Sequence, residues 1–186
     1  MQSVGFKEWA IVCEALGRGE QSIILRKGGI AEGRAGFSFQ EREFFLFPTF
    51  FHEQLEKTRS SGATIPERRA GEIALQFFAT VEFSAVVTDW ETAHALEPFH
   101  ILQPAVVQER FEYAEAPGIH LAVLRVYRLM PEWISADAPQ YGGCRSWVKL
   151  PEPPAGMKRK PVMADQAHAH LVEEIRALLA APVTAR

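Results

Sequence analysis

Ile73 to Val87 read IALQFFATVEFSAVV, and the periodicity of this stretch sets the fold class. Its odd positions carry Ile73, Leu75, Phe77, Ala79, Val81, Phe83, Ala85 and Val87, while Gln76, Thr80, Glu82 and Ser84 fall between them. Alternation with period 2 is the mark of a strand with one face in a core. Fifteen such residues exceed a typical strand, so a bent strand or two strands joined by a bulge is expected.

Outward from it, Glu43 to Phe47 lack a polar side after the first residue and read as a strand buried on both faces. Pro48 is expected to stop that ladder, and Thr49 to cap a helix from Phe50 to about Thr58. Residues 8–27 read as two strands around Gly17-Arg18-Gly19-Glu20, with a helix over Lys7–Leu16 as the competing assignment. A glycine-rich loop follows at 28–40, and a polar loop spans 59–71.

After Asp89 a short helix or turn leads into a strand near Phe99–Leu102. Pro104 opens a helix that Pro117-Gly118 stops. Ile119–Leu129 form another strand, a proline-rich loop follows, and Cys144–Leu150 close the set. The segment 152–164 reads as a proline-rich linker. Asp165 caps a last helix whose stripe is Leu171, Ile175, Leu178 and Leu179. The expected fold is α+β: a strand-rich curved sheet or partly closed barrel with flanking helices. It is one domain over 1–151, with the linker and C-terminal helix of 152–186 packing on it.

Composition narrows the function classes. The 186 residues are 47% hydrophobic and 23% charged, which suits a globular chain with a sizeable core. A net charge of −3 argues against coating nucleic acid by bulk charge, although 20 Lys and Arg can cluster locally. Cys13 and Cys144 have neither disulfide-framework nor zinc spacing. With no signal-peptide pattern and no run of ~18 apolar residues, a soluble cytoplasmic protein with reduced thiols is expected, with no membrane contact.

Motifs for chemistry are sparse. Arg26-Lys27-Gly28-Gly29 lacks the spacing of a phosphate-binding loop. Neither HExxH, CxxC nor GxSxG occurs, and the paired His168 and His170 diverge by ~200° on a helix. Neither a metal site nor a cofactor is therefore expected. Glu41, Glu43 and His52 form the carboxylate-rich set that a metal-dependent phosphodiesterase can use, with Glu82 and Asp89 as further candidates in the neighbouring strand region. Against it, the Asp/Glu-x-Lys tripeptide of restriction-type nucleases is absent; Glu32-Gly33-Arg34 and Glu67-Arg68-Arg69 are the nearest variants.

Two groups suit anions or nucleic acid. Arg26, Lys27 and Arg42 can join Thr49 and His52 around a phosphate or carboxylate if the glycine-rich loop folds back. The plain alternative makes Thr49 a cap and His52 a surface imidazole. Arg145, Trp147 and Lys149 share strand parity and can present a ring between two cations, with Lys158, Arg159 and Lys160 shortly after. The plain alternative puts Trp147 in the core beside a solvated edge.

The stretches KEWAIVCEALGRGEQSIILRKGGIAEG (7–33), EFFLFPTFFHEQ (43–54), RFEYAEAPGIHLAVLRVYRL (110–129) and YGGCRSWVKLP (141–151) together resemble the bacterial family catalogued as domain of unknown function 1802. The resemblance spans about Lys7 to Pro151. It implies an association with restriction-modification systems, including a nuclease partner protein, and it assigns no catalytic residue. The resulting expectation is a non-catalytic module that binds DNA or RNA, or serves as an accessory in a defence system. Two other readings stay open: the phosphodiesterase, and a protein-interaction module that does not bind nucleic acid.

Overall fold

A computed structural model of the chain describes residues 3–27, 38–59, 65–113 and 115–181. Most of the glycine-rich loop, including Glu32-Gly33-Arg34, lies outside the described residues, as does part of the polar loop after Arg59. The elements run β1 (Ser3–Trp9), α1 (Ala10–Arg18), β2 (Ile23–Arg26), β3 (Glu43–Thr49), β4 (Glu72–Val87), α2 (Trp90–Ala95), α3 (Pro104–Phe111), β5 (Ile119–Ala136), β6 (Trp147–Leu150), β7 (Lys158–Pro161) and α4 (Asp165–Ala180). The class is α+β, as expected. The seven strands form one sheet in the order β2-β5-β4-β3-β1-β6, with β7 also on β5, and the sheet does not close into a barrel. Among the described residues, only β1 and β3 pair in parallel.

The opening alternation is β4, which pairs antiparallel along β5 on either side of residues 129–132. Register shifts between Leu75 and Phe77 and between Val81 and Phe83 bend the pair, as its length demands. In β3, Phe44 and Leu46 enter a core shared with the helices, while Phe45 and Phe47 enter a second cluster with Leu75, Phe78 and Trp133. That is the two-sided burial its composition predicts.

Several expectations are corrected. Residues 8–27 are not a hairpin: β1 runs directly into α1, the competing helix. Seven of its nine residues are buried, so the apolar run carries no periodicity to separate helix from strand. Gly19, at φ 74°, supplies the left-handed C-cap that ends it. Pro48 does not stop β3, which continues to Thr49 beside β1. Pairing with β4 covers only Glu43–Phe45, so past that point one side of β3 has no ladder bond for the proline to remove. Thr49 caps no helix. Its hydroxyl donates to the Glu8 carbonyl at 3.0 Å, and the following residues form only a short 3-10 turn at His52–Gln54.

No strand follows Phe99; a single bridge joins Leu102 to Thr58. β5 continues through the expected proline-rich loop to Ala136, and the supposed linker contains β7. The N-cap of α4 is Ala164, and the Asp165 carboxylate instead accepts from Arg125 of β5. Buried Ile175 and the partly buried Leu171, Leu178 and Leu179 seat α4 on the main core. No helix among the described residues is long and apolar enough to cross a membrane.

One consequence of the twist positions the site. β2 and β6 lie at opposite ends of the strand order, yet Arg26 of β2 donates to the Ser146 hydroxyl, at the entry to β6, at 2.9 Å. Its guanidinium also lies 5.3 Å from the centre of the Phe6 ring in β1. Accumulated strand twist curls the sheet until its edges approach, and side chains bridge a gap that no ladder closes.

Candidate nucleic-acid interface

The seam between these edges holds a cavity of about 600 Å³. Its wall carries Arg26 and Lys27 from the end of β2, Lys57, and Arg110 from α3, together with Trp9, Tyr113, Cys144 and Ser146. Pro104 starts α3, and the turn of the helix puts Val107 and Arg110 on one buried side. Arg110 is 8% exposed. One hydrogen bond, to the Leu25 carbonyl, and the face of the Trp9 ring 4.8 Å away hold its guanidinium. Among the described residues no carboxylate lies within ion-pair distance of it.

Burial lowers the Arg110 pKa to about 10, with Arg26 adding to the effect and Glu8 and Glu109 opposing it. The group remains a cation at neutral pH, under-solvated and under-compensated. Glu8 is 2% exposed, accepts from the Trp9 backbone N–H at 2.8 Å, and lies 4.0 Å from Arg26. At the rim, Glu109 lies 3.9 Å from Lys27, whose ammonium sits 3.6 Å from the centre of the Tyr113 ring. Arg26, Lys27, Lys57 and Arg110 thus face two carboxylates, Glu8 and Glu109; burial strengthens the interactions of Arg110 and Glu8, while Lys27 and Glu109 meet at the solvated rim.

The residues expected to gather with Arg26 and Lys27 are placed elsewhere. Thr49 lines a different cavity, of about 450 Å³, with Lys7 and Arg68. There the Lys7 ammonium donates to the Gly143 and Gly142 carbonyls at 2.9 and 3.3 Å. Its pKa is lowered chiefly by burial and further by Arg145, against an opposing effect of Cys144. His52 is exposed in its 3-10 turn.

Glu43 begins β3 and His52 lies beyond its end, so the strand holds them roughly 20 Å apart at ~3.3 Å per residue. Among the described residues no group of three or more His, Cys, Asp or Glu is placed to hold a metal. Glu41 instead lines a cavity of about 360 Å³ with Arg145, Trp147 and Lys149. Trp147 is half-buried and meets the Phe6 and Phe44 rings edge-on at 4.8 and 5.3 Å, so packing occupies much of its ring, while Lys149 is exposed.

No sequence motif marks Trp9, Lys57, Arg110, Tyr113 or Ser146. Arg110-Phe111-Glu112-Tyr113 interleaves basic and aromatic residues much as 141–149 do, and that was the available signal.

Comparison with curated proteins gives no match. Among solved structures, the chain is similar to the crystal structure of ASCH from Zymomonas mobilis, at 14% identity over 92% of this chain and 94% of that one, with a TM-score of 0.44. A mutant of the same protein aligns at 12% identity over 82% and 92% of the two chains, with a TM-score of 0.47. The family model described as domain of unknown function (DUF1802) matches residues 5–174, and the chain belongs to that family.

Proposed function

We propose that the protein is a non-catalytic nucleic-acid-binding module whose principal contact is the seam cavity. The observation that carries this reading is the gathering of Arg26, Lys27, Lys57 and Arg110 around one concavity with Trp9 and Tyr113 in its wall. Cations interleaved with aromatics hold phosphates and bases together. The net charge of the whole chain, −3, makes that cluster a local departure from the bulk surface. Arg145 and Lys149, exposed on either side of Ser146 and Trp147, supply further positive surface for a strand leaving the cavity. The restriction-modification setting and nuclease partner implied by the family resemblance enter this proposal as its biological context. Co-purification with the products of neighbouring genes tests them.

Fluorescence anisotropy against single-stranded and duplex DNA and RNA, across salt, tests the binding itself. Each single-strand phosphate contact contributes about 0.7 to the slope of log K against log salt. Lys27→Ala/Lys57→Ala is expected to weaken binding for every sequence and to flatten the slope by about 1.4. Salt-independent binding, or none at micromolar protein, refutes the reading.

A further inference from the structure

We propose that the seam cavity receives the end of a strand, a terminal nucleotide bearing a phosphomonoester, and not the phosphodiesters of an uninterrupted chain. The proposal rests on the nucleic-acid reading above and states which part of the polymer the site accepts.

Access supplies the first argument. The deepest cation, Arg110, is about nine-tenths buried and lies against the Trp9 ring. It lines the cavity, so a ligand held there lies within its reach. At about 600 Å³ the space falls in the range that encloses one small ligand. An internal phosphodiester is tethered on both sides, so the space must hold two flanking nucleotides as well as the phosphate. A duplex is wider still. A terminal phosphate enters alone, with one nucleotide behind it.

Charge supplies the second. Arg26, Lys27, Lys57 and Arg110 against Glu8 and Glu109 leave a surplus of two positive charges. A phosphomonoester carries about −1.5 to −2 at neutral pH, because its second pKa is near 6. It also offers three oxygens to donors of the guanidinium type, the geometry that Arg matches with paired hydrogen bonds. A phosphodiester brings a single charge and leaves part of the surplus uncompensated.

The rim completes the fit. Tyr113 is 43% exposed, and its ring carries the Lys27 ammonium at 3.6 Å. A base following the phosphate outward meets an aromatic ring beside a cation, a combination that tolerates any base.

The experiment compares one single-stranded oligonucleotide of about twelve residues, within the usual single-strand site sizes, in four forms with an internal fluorophore. These are 5′-phosphorylated, 3′-phosphorylated, unphosphorylated and circular; each is tested as DNA and as RNA. One phosphorylated form is expected to bind about tenfold more tightly than the unphosphorylated and circular forms, as an added charge-assisted contact implies. That preference should grow between pH ~5.5 and ~7.5, as the phosphate gains its second charge. Nucleoside 5′- or 3′-monophosphate should compete.

Arg110→Met, checked by circular dichroism, should abolish the preference while leaving weaker, salt-dependent binding of all forms. Should that variant not fold, Lys57→Ala at the rim is expected to shrink the preference. A circle bound as tightly as the phosphorylated strands overturns the end-specific proposal and leaves the module reading standing. Absence of binding to every form sinks both.

Discussion

Replacing Gly17 with alanine tests how α1 is set on the sheet. A helical glycine ordinarily costs about 1 kcal/mol relative to alanine, so Gly17→Ala should stabilise an exposed helix. Here the new Cβ would lie 2.0, 2.2 and 2.6 Å from three atoms of the Phe77 ring, far inside the ~3.5–4.0 Å of a normal carbon contact. Phe77 is 2% exposed, so its ring has little room to withdraw. The Arg128 guanidinium sits 4.9 Å from the ring centre and donates to the Gly17 carbonyl at 3.1 Å, tying helix, ring and β5 together.

Overpacking of this kind costs up to about 3 kcal/mol. After the helix-propensity gain of ~1 kcal/mol, the net expectation is a loss of about 2 kcal/mol. For a chain of this size that corresponds to a melting point lower by roughly 4–8 °C. Urea unfolding followed by circular dichroism and tryptophan fluorescence measures it. The companion variant Phe77→Leu makes room at a cost of roughly 1–2 kcal/mol. In that background Gly17→Ala should become neutral or stabilising by up to ~1 kcal/mol, a coupling within the range for contacting residues. A neutral Gly17→Ala in the wild type, or an equal cost in both backgrounds, refutes the packing argument.

Further outcomes concern pH, the C-terminal helix and the thiols. Burial, reinforced by Arg59 and Arg110, lowers the His100 pKa to about 3, and its neutral Nδ1 accepts from the Leu102 N–H at 3.1 Å. The unfolded chain therefore binds the proton first. This contribution is complete above pH ~6.5 and declines toward pH ~3, at up to ~1.4 kcal/mol per unit; His100→Asn should flatten the stability profile between pH ~6 and ~4.5, and an unchanged slope contradicts the assignment. Ile175→Ala, at a residue with 0% exposure, should cost ~2–5 kcal/mol if α4 is integral to the domain; a shift below ~1 kcal/mol in chemical denaturation would show that the helix docks weakly. Exposed Cys144 should react with a thiol reagent while buried Cys13 stays inert until unfolding. Because Cys144 lines the seam cavity, a bound phosphorylated oligonucleotide should slow that reaction, and undiminished labelling at saturation would place the ligand elsewhere.

Much of the local structure was legible because its cause is local. Side-chain alternation announced β4, the run of phenylalanines showed that β3 is covered on both faces, and Pro104 marked the start of α3. The stripe through Ile175 likewise placed α4. Each follows from where consecutive side chains point along a strand or helix. The helical state of 10–18 was ambiguous because burial on nearly all sides erases periodicity, and the approach of β1 to the sheet settled it. The site was less legible. Arg26 and Lys27 were recognisable as basic neighbours, but their companions come from β1, the segment after the 3-10 turn, α3 and its C-terminal end, and the loop before β6.

Residue types, spacing and composition thus establish an α+β chain with one long bent strand, no metal-binding motif and scattered basic–aromatic segments. They do not show that Arg26 meets Ser146 across opposite edges of the sheet, or that Arg110 is a buried cation with no carboxylate at ion-pair distance among the described residues. The reason is physical. Curl is the sum of small twists over many strands, and the field at a buried charge depends on groups distant in the chain, so neither leaves a mark on the residues nearby in sequence.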